Sequence, residues 1–203
     1  MIEYKVSDFT DSEIQQAVAV QIQELPEGFL SSLGLKPLKL IFRHAAFSRF
    51  GILVMVKDAG KVVGYILGTT DRGQFYKDFL IKRAWSATVV FFPKLLSRQR
   101  LKKALETLVY PMKKQPGKSN QPKAELFDMA ILRLHHGSGI AQELFSKFVN
   151  QCVERQVSSF RIPTSASLER AHRFYAKAGA RRVGVVEVHS GQPTYIYQFD
   201  IEE

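Results

Sequence analysis

The stretch His135-His136-Gly137-Ser138-Gly139-Ile140-Ala141 places two glycines and a serine between a β-rich run that ends at Leu132 and a run of helical apolar spacing. A helix starting there offers backbone N–H groups with no partner inside the helix, at the positive end of its aligned peptide dipoles, and so attracts phosphate. Gly137 and Gly139 keep side chains clear of those N–H groups, Ser138 adds a hydroxyl, and Ala141 leaves the next turn open. A pyrophosphate fits such a turn. The stretch is not the dinucleotide fingerprint, because Gln142 stands where the third glycine of G-x-G-x-x-G belongs, and no Gly-Lys-Ser/Thr makes it a P-loop. Strand, glycine turn and helix also recur as plain punctuation, so the turn alone names no activity.

The other reactive residue types add little by themselves. Cys152 is the single cysteine, which excludes an internal disulfide, and it shares a helix face with Leu144, Phe145, Phe148 and Val149 as a core thiol. His135 and His136 are adjacent, point apart in an extended chain and make a poor metal pair, so no metal is expected. His172 is expected to face solvent on a later helix.

The elements that must position these residues follow from periodicity and turn chemistry. Residues 2–7 read as a strand and residues 11–25 as a helix, with Ile14, Val18 and Ile22 at helical spacing and Thr10 or Asp11 as its cap. One or two short helices follow, then two β-rich runs around Asp58-Ala59-Gly60-Lys61, a hairpin. Residues 72–110 turn helical, and residues 112–123 are a Pro/Gly/Lys-rich loop. Residues 124–132 form a strand, 139–155 a helix, 158–163 a strand and 167–179 a helix stopped by Gly179. Two closing strands make a second hairpin. This order predicts a mixed sheet flanked by helices, with a parallel step across the helix that begins near Gly139.

At 203 residues, 45% hydrophobic and 24% charged, the chain fits one well-buried domain of ordinary globular composition. No run reaches the roughly 20 apolar residues of a spanning helix, and the acidic, polar beginning is unlike a signal peptide. A cytoplasmic protein is expected. The net charge of +10 is uneven: residues 72–123 hold thirteen Lys or Arg against Asp78 and Glu106. That segment attracts phosphates or an anionic surface without saying which.

Residues 136–141 resemble the acyl-CoA-binding signature of the GNAT superfamily of N-acetyltransferases, [Gln/Arg]-x-x-Gly-x-[Gly/Ala], with His136 where Gln or Arg is usual. Residues 167–184 resemble a later motif of the same superfamily, with Ala171, Phe174, Tyr175, Lys177 and Gly179 at its spacings. Leu168 stands in the usual Asn position and Ala180 in the usual Phe position. The resemblance covers residues 123–200, and more loosely residues 51–70.

It implies a single α/β domain over residues 1–203 with the GNAT fold, a mixed central sheet flanked by helices, and a basic helical insertion, residues 72–122, between the third and fourth strands. It further implies acetyl-CoA as acyl donor, direct attack by a primary amine, and no covalent enzyme intermediate. His136, Gly137, Ser138, Gly139, Ile140 and Ala141 would then grip the pyrophosphate, and Ser167 or Ser165 would replace the missing Asn beside the pantetheine arm. Tyr175 would protonate the departing thiolate, and a backbone N–H near Ile131 would meet the oxyanion where the strands splay.

A lysine-like amine, with a pKa of about 10.4, must lose a proton before it attacks. Glu125, on the strand entering the glycine turn, is the first candidate for the base and Asp128 the second. Strict alternation puts Glu125 on one face with Phe127, Met129 and Ile131, and Asp128 on the other.

The insertion is expected to shape acceptor choice, and its basic character suits a small phosphorylated amine such as a nucleotide-linked amino sugar. Within it, residues 79–96 interleave apolar and basic residues, as does a helix lying on an anionic membrane, so peripheral membrane contact stays open while an integral segment is not expected. No nucleic-acid module is recognisable. A monomer or homodimer is expected. The alternative class is a non-catalytic CoA-binding or membrane-surface interaction protein that keeps the fold.

Overall fold

A computed structural model describes residues 1–91, 121–189 and 192–201. Its strands are β1 (Ile2–Lys5), β2 (Gly51–Asp58), β3 (Lys61–Thr69), β4 (Ala124–Ile131), β5 (Ser159–Ser165), β6 (Arg181–His189) and β7 (Gln192–Asp200). They form one sheet in the order β1-β2-β3-β4-β5-β7-β6, antiparallel throughout except between β4 and β5. Helices α1 (Asp11–Glu24), α2 (Phe29–Ser32) and α3 (Leu35–Phe47) precede β2, and α4 (Arg72–Phe91) follows β3. Helix α5 (Ile140–Glu154) makes the parallel crossover from β4 to β5, and α6 (Glu169–Lys177) precedes the closing hairpin. The mixed sheet, the parallel step and the flanking helices are those predicted. Of the predicted insertion, residues 72–122, α4 is the described beginning; residues 92–120 lie outside the described residues, and the amphipathic stretch 79–96 runs into them. Among the described residues no helix is long and apolar enough to cross a membrane.

Local chemistry fixes the elements around the site. Helix α1 begins in a capping box: Glu13 N–H donates to Thr10 Oγ1 at 3.2 Å, and Thr10 N–H donates to Glu13 Oε2 at 2.8 Å. The same carboxylate receives Lys5 at 2.8 Å and Lys57 at 3.0 Å, so it ties α1 to β1 and β2. Burial would raise the Glu13 carboxyl, but Lys5, the Thr10 amide and Lys57 outweigh it and hold the pKa at about 2. The β2–β3 hairpin turns through Ala59 and Gly60, both with positive φ (47° and 79°), the type I′ pattern that matches strand twist.

The sheet buries an apolar layer on each face. On one, Leu126, Phe160 and Ile162 of the strands pack with Leu144 and Phe148 of α5. On the other, Tyr65 and Leu67 of β3 pack with Ile14 and Val18 of α1 and Leu38 and Phe42 of α3. A register shift interrupts the β3–β4 ladder, where Leu67 pairs with Asp128 but Gly68 pairs with Leu126. Phe127 is the extra residue of this bulge. Gly68 permits the close approach there, since a Cβ would lie 2.5 Å from the Glu125 carbonyl oxygen and 2.6 Å from the Phe148 ring.

Candidate active site

Strands β4 and β5 are paired at only two rungs, Ala124 with Phe160 and Glu125 with Arg161. Beyond them β4 continues beside β3 to Ile131, and β5 continues beside β7 to Ser165. The two strands therefore part and leave a wedge in the middle of the sheet. The N–H of Leu132 donates to Val63 O at 2.8 Å, so alternation of the antiparallel ladder turns the Ile131 peptide away from β3 and toward the wedge. The Ile131 carbonyl is met by His136 Nε2 at 2.9 Å, and the Met129 N–H donates to Asp128 Oδ1 at 2.9 Å. The Ile131 N–H is left facing the gap.

The wedge ends in the glycine turn. After one 3-10 turn, Arg133–His135, the chain passes Gly137 and Gly139 with φ of 80° and 86°, and Gly139 is the residue before α5. A Cβ at either glycine would meet nothing within 4 Å, so what demands glycine is the left-handed backbone, and the space over the turn is open. No side chain caps α5. Ser138 Oγ donates to His135 O at 2.6 Å, which tightens the turn, while Ile140 is buried and Ala141 half-buried against the core. The residues present thus make an uncapped, unobstructed helix start that fits a pyrophosphate.

Across the wedge, Tyr175 of α6 is buried among Phe145, Phe174 and Tyr197, with ring centroids 6.1, 5.4 and 6.4 Å away. Burial first, and the nearby Asp128 second, raise the pKa of its hydroxyl. Ser167 is exposed at the end of β5, 3.1 Å from Ser165 hydroxyl to hydroxyl. His172 does not face solvent as expected: Tyr195 and Tyr197 of β7 lie beneath α6, its ring sits 5.1 Å from that of Tyr195, and its Nδ1 is 3.1 Å from the Tyr197 hydroxyl.

The two carboxylates differ in setting. Glu125 is 7% exposed, and its Oε2 lies 2.8 Å from both Arg72 Nη1 and Arg161 Nε. Because Phe127 is inserted by the bulge, strict alternation fails along β4. Glu125, Phe127, Asp128 and Ala130 turn to the side of α1, α3 and α4, while Leu126, Met129 and Ile131 turn to α5. The expected separation of Glu125 from Asp128 onto opposite faces is corrected accordingly. Asp128 Oδ2 accepts from Gln21 Nε2 at 3.0 Å. Burial pushes the Asp128 pKa up to about 6 against the lowering effect of the Gln21 and Met129 donors. Gln21 also donates to Ser31 Oγ at 3.2 Å and accepts from the Tyr65 hydroxyl.

Gln21 and Tyr65 were not among the residues singled out from sequence. One signal was available, since Ile14, Ala17, Val18 and Gln21 fall on one helical stripe and Gln21 is its polar, fully buried member. A separate open groove of about 540 Å³, between α1, the β2–β3 turn and His135, includes neither carboxylate nor Tyr175.

Solved structures share this architecture. One from Desulfovibrio desulfuricans, assigned to the GNAT acetyltransferases, aligns with a TM-score of 0.65 at 11% identity over 100% of both chains. The ribosomal-protein-S18-alanine N-acetyltransferase from Escherichia coli gives 0.60 at 10% identity, over 99% of this chain and 96% of that one. The yncA protein from Salmonella typhimurium, solved with its cofactor acetyl-CoA, gives 0.61 at 8% identity over 100% and 95%. At such identities these likenesses show the fold alone. Comparison with curated protein sequences gives no match. The family model of the GNAT acetyltransferases, however, matches residues 19–180, which run from the second half of α1 through the wedge, the glycine turn and α6. The chain belongs to the GNAT acetyltransferase family.

Proposed function

We propose that the protein is an N-acetyltransferase that uses acetyl-CoA and passes the acetyl group to the primary amine of a small molecule by direct attack. The observation that carries this reading is the two-rung β4–β5 junction, which opens between the Ile131 N–H and a glycine turn with no obstructing side chain. Acetyl-CoA, when bound, supplies the activated acyl group. His136, Gly137, Ser138, Gly139, Ile140 and Ala141 would hold its pyrophosphate through backbone N–H groups, and Ser167 with Ser165 would offer hydroxyls to its arm.

Each remaining residue has a role set by its environment. Asp128, with a pKa of about 6, is ionised at neutral pH yet more basic than an ordinary carboxylate, and accepts the proton the amine must lose. Tyr175 keeps its proton, because burial and Asp128 both disfavour the phenolate, and holds it at Oη as the donor to the leaving group. The Ile131 N–H faces the position where negative charge develops on the acyl oxygen. Glu125 was the first candidate for the base on sequence grounds. In this reading it fixes Arg72 and Arg161 instead, because its Oε2 is already shared by two cations.

The test is the thermal midpoint with and without acetyl-CoA, followed by amine-dependent release of CoA. At about 100 times its dissociation constant the ligand stabilises the native state by about 2.7 kcal/mol. An unchanged midpoint would sink the reading. A raised midpoint with no amine-dependent release would favour the non-catalytic CoA-binding alternative.

A further inference from the structure

Arg161 stands opposite Glu125 on the last rung before the strands part. Arg72 opens α4, and its own N–H donates to Lys123 O at 2.9 Å, which pins the start of that helix to the start of β4. Both side chains converge on one carboxylate oxygen, Glu125 Oε2. A guanidinium is a planar fork that meets a carboxylate or phosphate with two parallel hydrogen bonds. Arg72 uses only Nη1; its Nε–H is buried and has no acceptor among the described residues. Buried donors left unpaired are few in native proteins. The side chains of Arg72, Arg161 and Glu125 are 19%, 16% and 10% exposed, sheltered enough to strengthen a charge interaction. Tyr76 and Phe127, with rings 6.0 Å apart, form an apolar wall on the same side.

Because of the bulge, Asp128 lies only two rungs further along β4 on this face, opposite Leu67 where Glu125 is opposite Thr69, roughly 7 Å away along the strand. We infer that the acceptor carries an anionic group, a carboxylate or a phosphate, and that Arg72 with Arg161 holds it at the root of the wedge while the amine reaches Asp128. The inference deepens the acyl-transfer reading above and rests on it. It assigns the acceptor to small amines with an oxyanion within that span, and makes Arg72 a specificity-determining residue.

The experiment follows the thermal midpoint of the full chain with CoA present to fill the glycine turn. Sodium phosphate and sodium acetate are titrated separately, with ionic strength held constant by chloride. Wild-type protein is expected to show a saturable rise with at least one of them; a response to phosphate assigns a phosphorylated acceptor, and one to acetate alone a carboxylate. Arg72→Gln is expected to weaken the apparent affinity at least tenfold. Arg72→Lys, which keeps the charge and loses the fork, serves where the glutamine variant does not fold, and is also expected to bind more weakly than wild type. Absence of a saturable rise with both anions, or wild-type affinity in the Arg72 variants, overturns the inference. Failure of CoA itself to raise the midpoint, with the anion response intact, overturns the acyl-transfer reading and leaves the anion subsite supported.

Discussion

The side-chain amide of Gln21 donates to Asp128 Oδ2 at 3.0 Å, joining α1 to β4 across 107 positions of chain. Burial favours the neutral acid, the Gln21 and Met129 donors favour the anion, and the balance stands at about 6. For a base this predicts that kcat/KM rises with pH through about 6 and is level above it. Asp128→Asn should lower turnover by about 10²–10⁴ and abolish that limb. Gln21→Leu removes one lowering donor, so the limb should move to higher pH. A limb that stays in place in Gln21→Leu assigns the titration to another group. The sign for stability is opposite to that of an ordinary ion-paired carboxylate. With its folded pKa raised, Asp128 costs stability as pH climbs from about 4 to about 6.

Tyr175→Phe keeps the ring that packs on Phe145 and Phe174 and deletes only the hydroxyl. Turnover should fall by about 10²-fold or more while the midpoint rise produced by acetyl-CoA is unchanged. Equal losses of turnover and CoA affinity in isothermal titration would make the tyrosine a packing residue.

Gly139→Ala places a side chain at φ 86°, where space is available but the backbone is strained. The apo protein should lose about 1 kcal/mol, and CoA should bind more weakly because the first N–H groups of α5 are re-aimed. Gly139→Asn, which tolerates the left-handed region better, should lie between the two. Denaturant melts and CoA titration of the three proteins give the order.

Glu13 has a depressed folded pKa, so its contribution is complete above about pH 5 and disappears as pH falls through about 2. Glu13→Gln retains the capping geometry and loses the charge shared by Lys5 and Lys57. Urea unfolding should find the variant about 2–3 kcal/mol less stable at pH 7, with the gap closing near pH 2. A gap independent of pH would place the effect in hydrogen bonding alone.

Where local rules govern, sequence reading reached the structure. The first helix, the hairpin turn, the glycine turn and the closing strands fall within a few residues of their predicted bounds, because caps, I′ turns and hydrophobic periods are written in neighbouring residues. The face assignments on β4 were not legible. They depend on one extra residue, Phe127, admitted because Gly68 on a different strand lets Glu125 and Phe148 come close. The partners of Glu125 were equally hidden, since Arg72 and Arg161 lie far away in the chain and meet it only through α4 and the parallel register. Nothing in a linear pattern says where a ladder stops, so the extent of the splay became visible only in the pairing itself.

That splay divides the sheet into two leaves, β1 to β4 and β5 to β7, whose backbones touch at a two-rung hinge. Helix α5 is the clasp: Phe148 reaches Gly68 in one leaf and sits 5.1 Å, ring to ring, from Phe160 in the other. With so little backbone bonding across the seam, the leaves are joined mainly through the shared apolar layer under α5, and amide hydrogens on β3 and β7 are expected to differ in protection. A molecule lying along the seam and bonded to both leaves couples them, so that occupancy of the gap is read at strands it never touches.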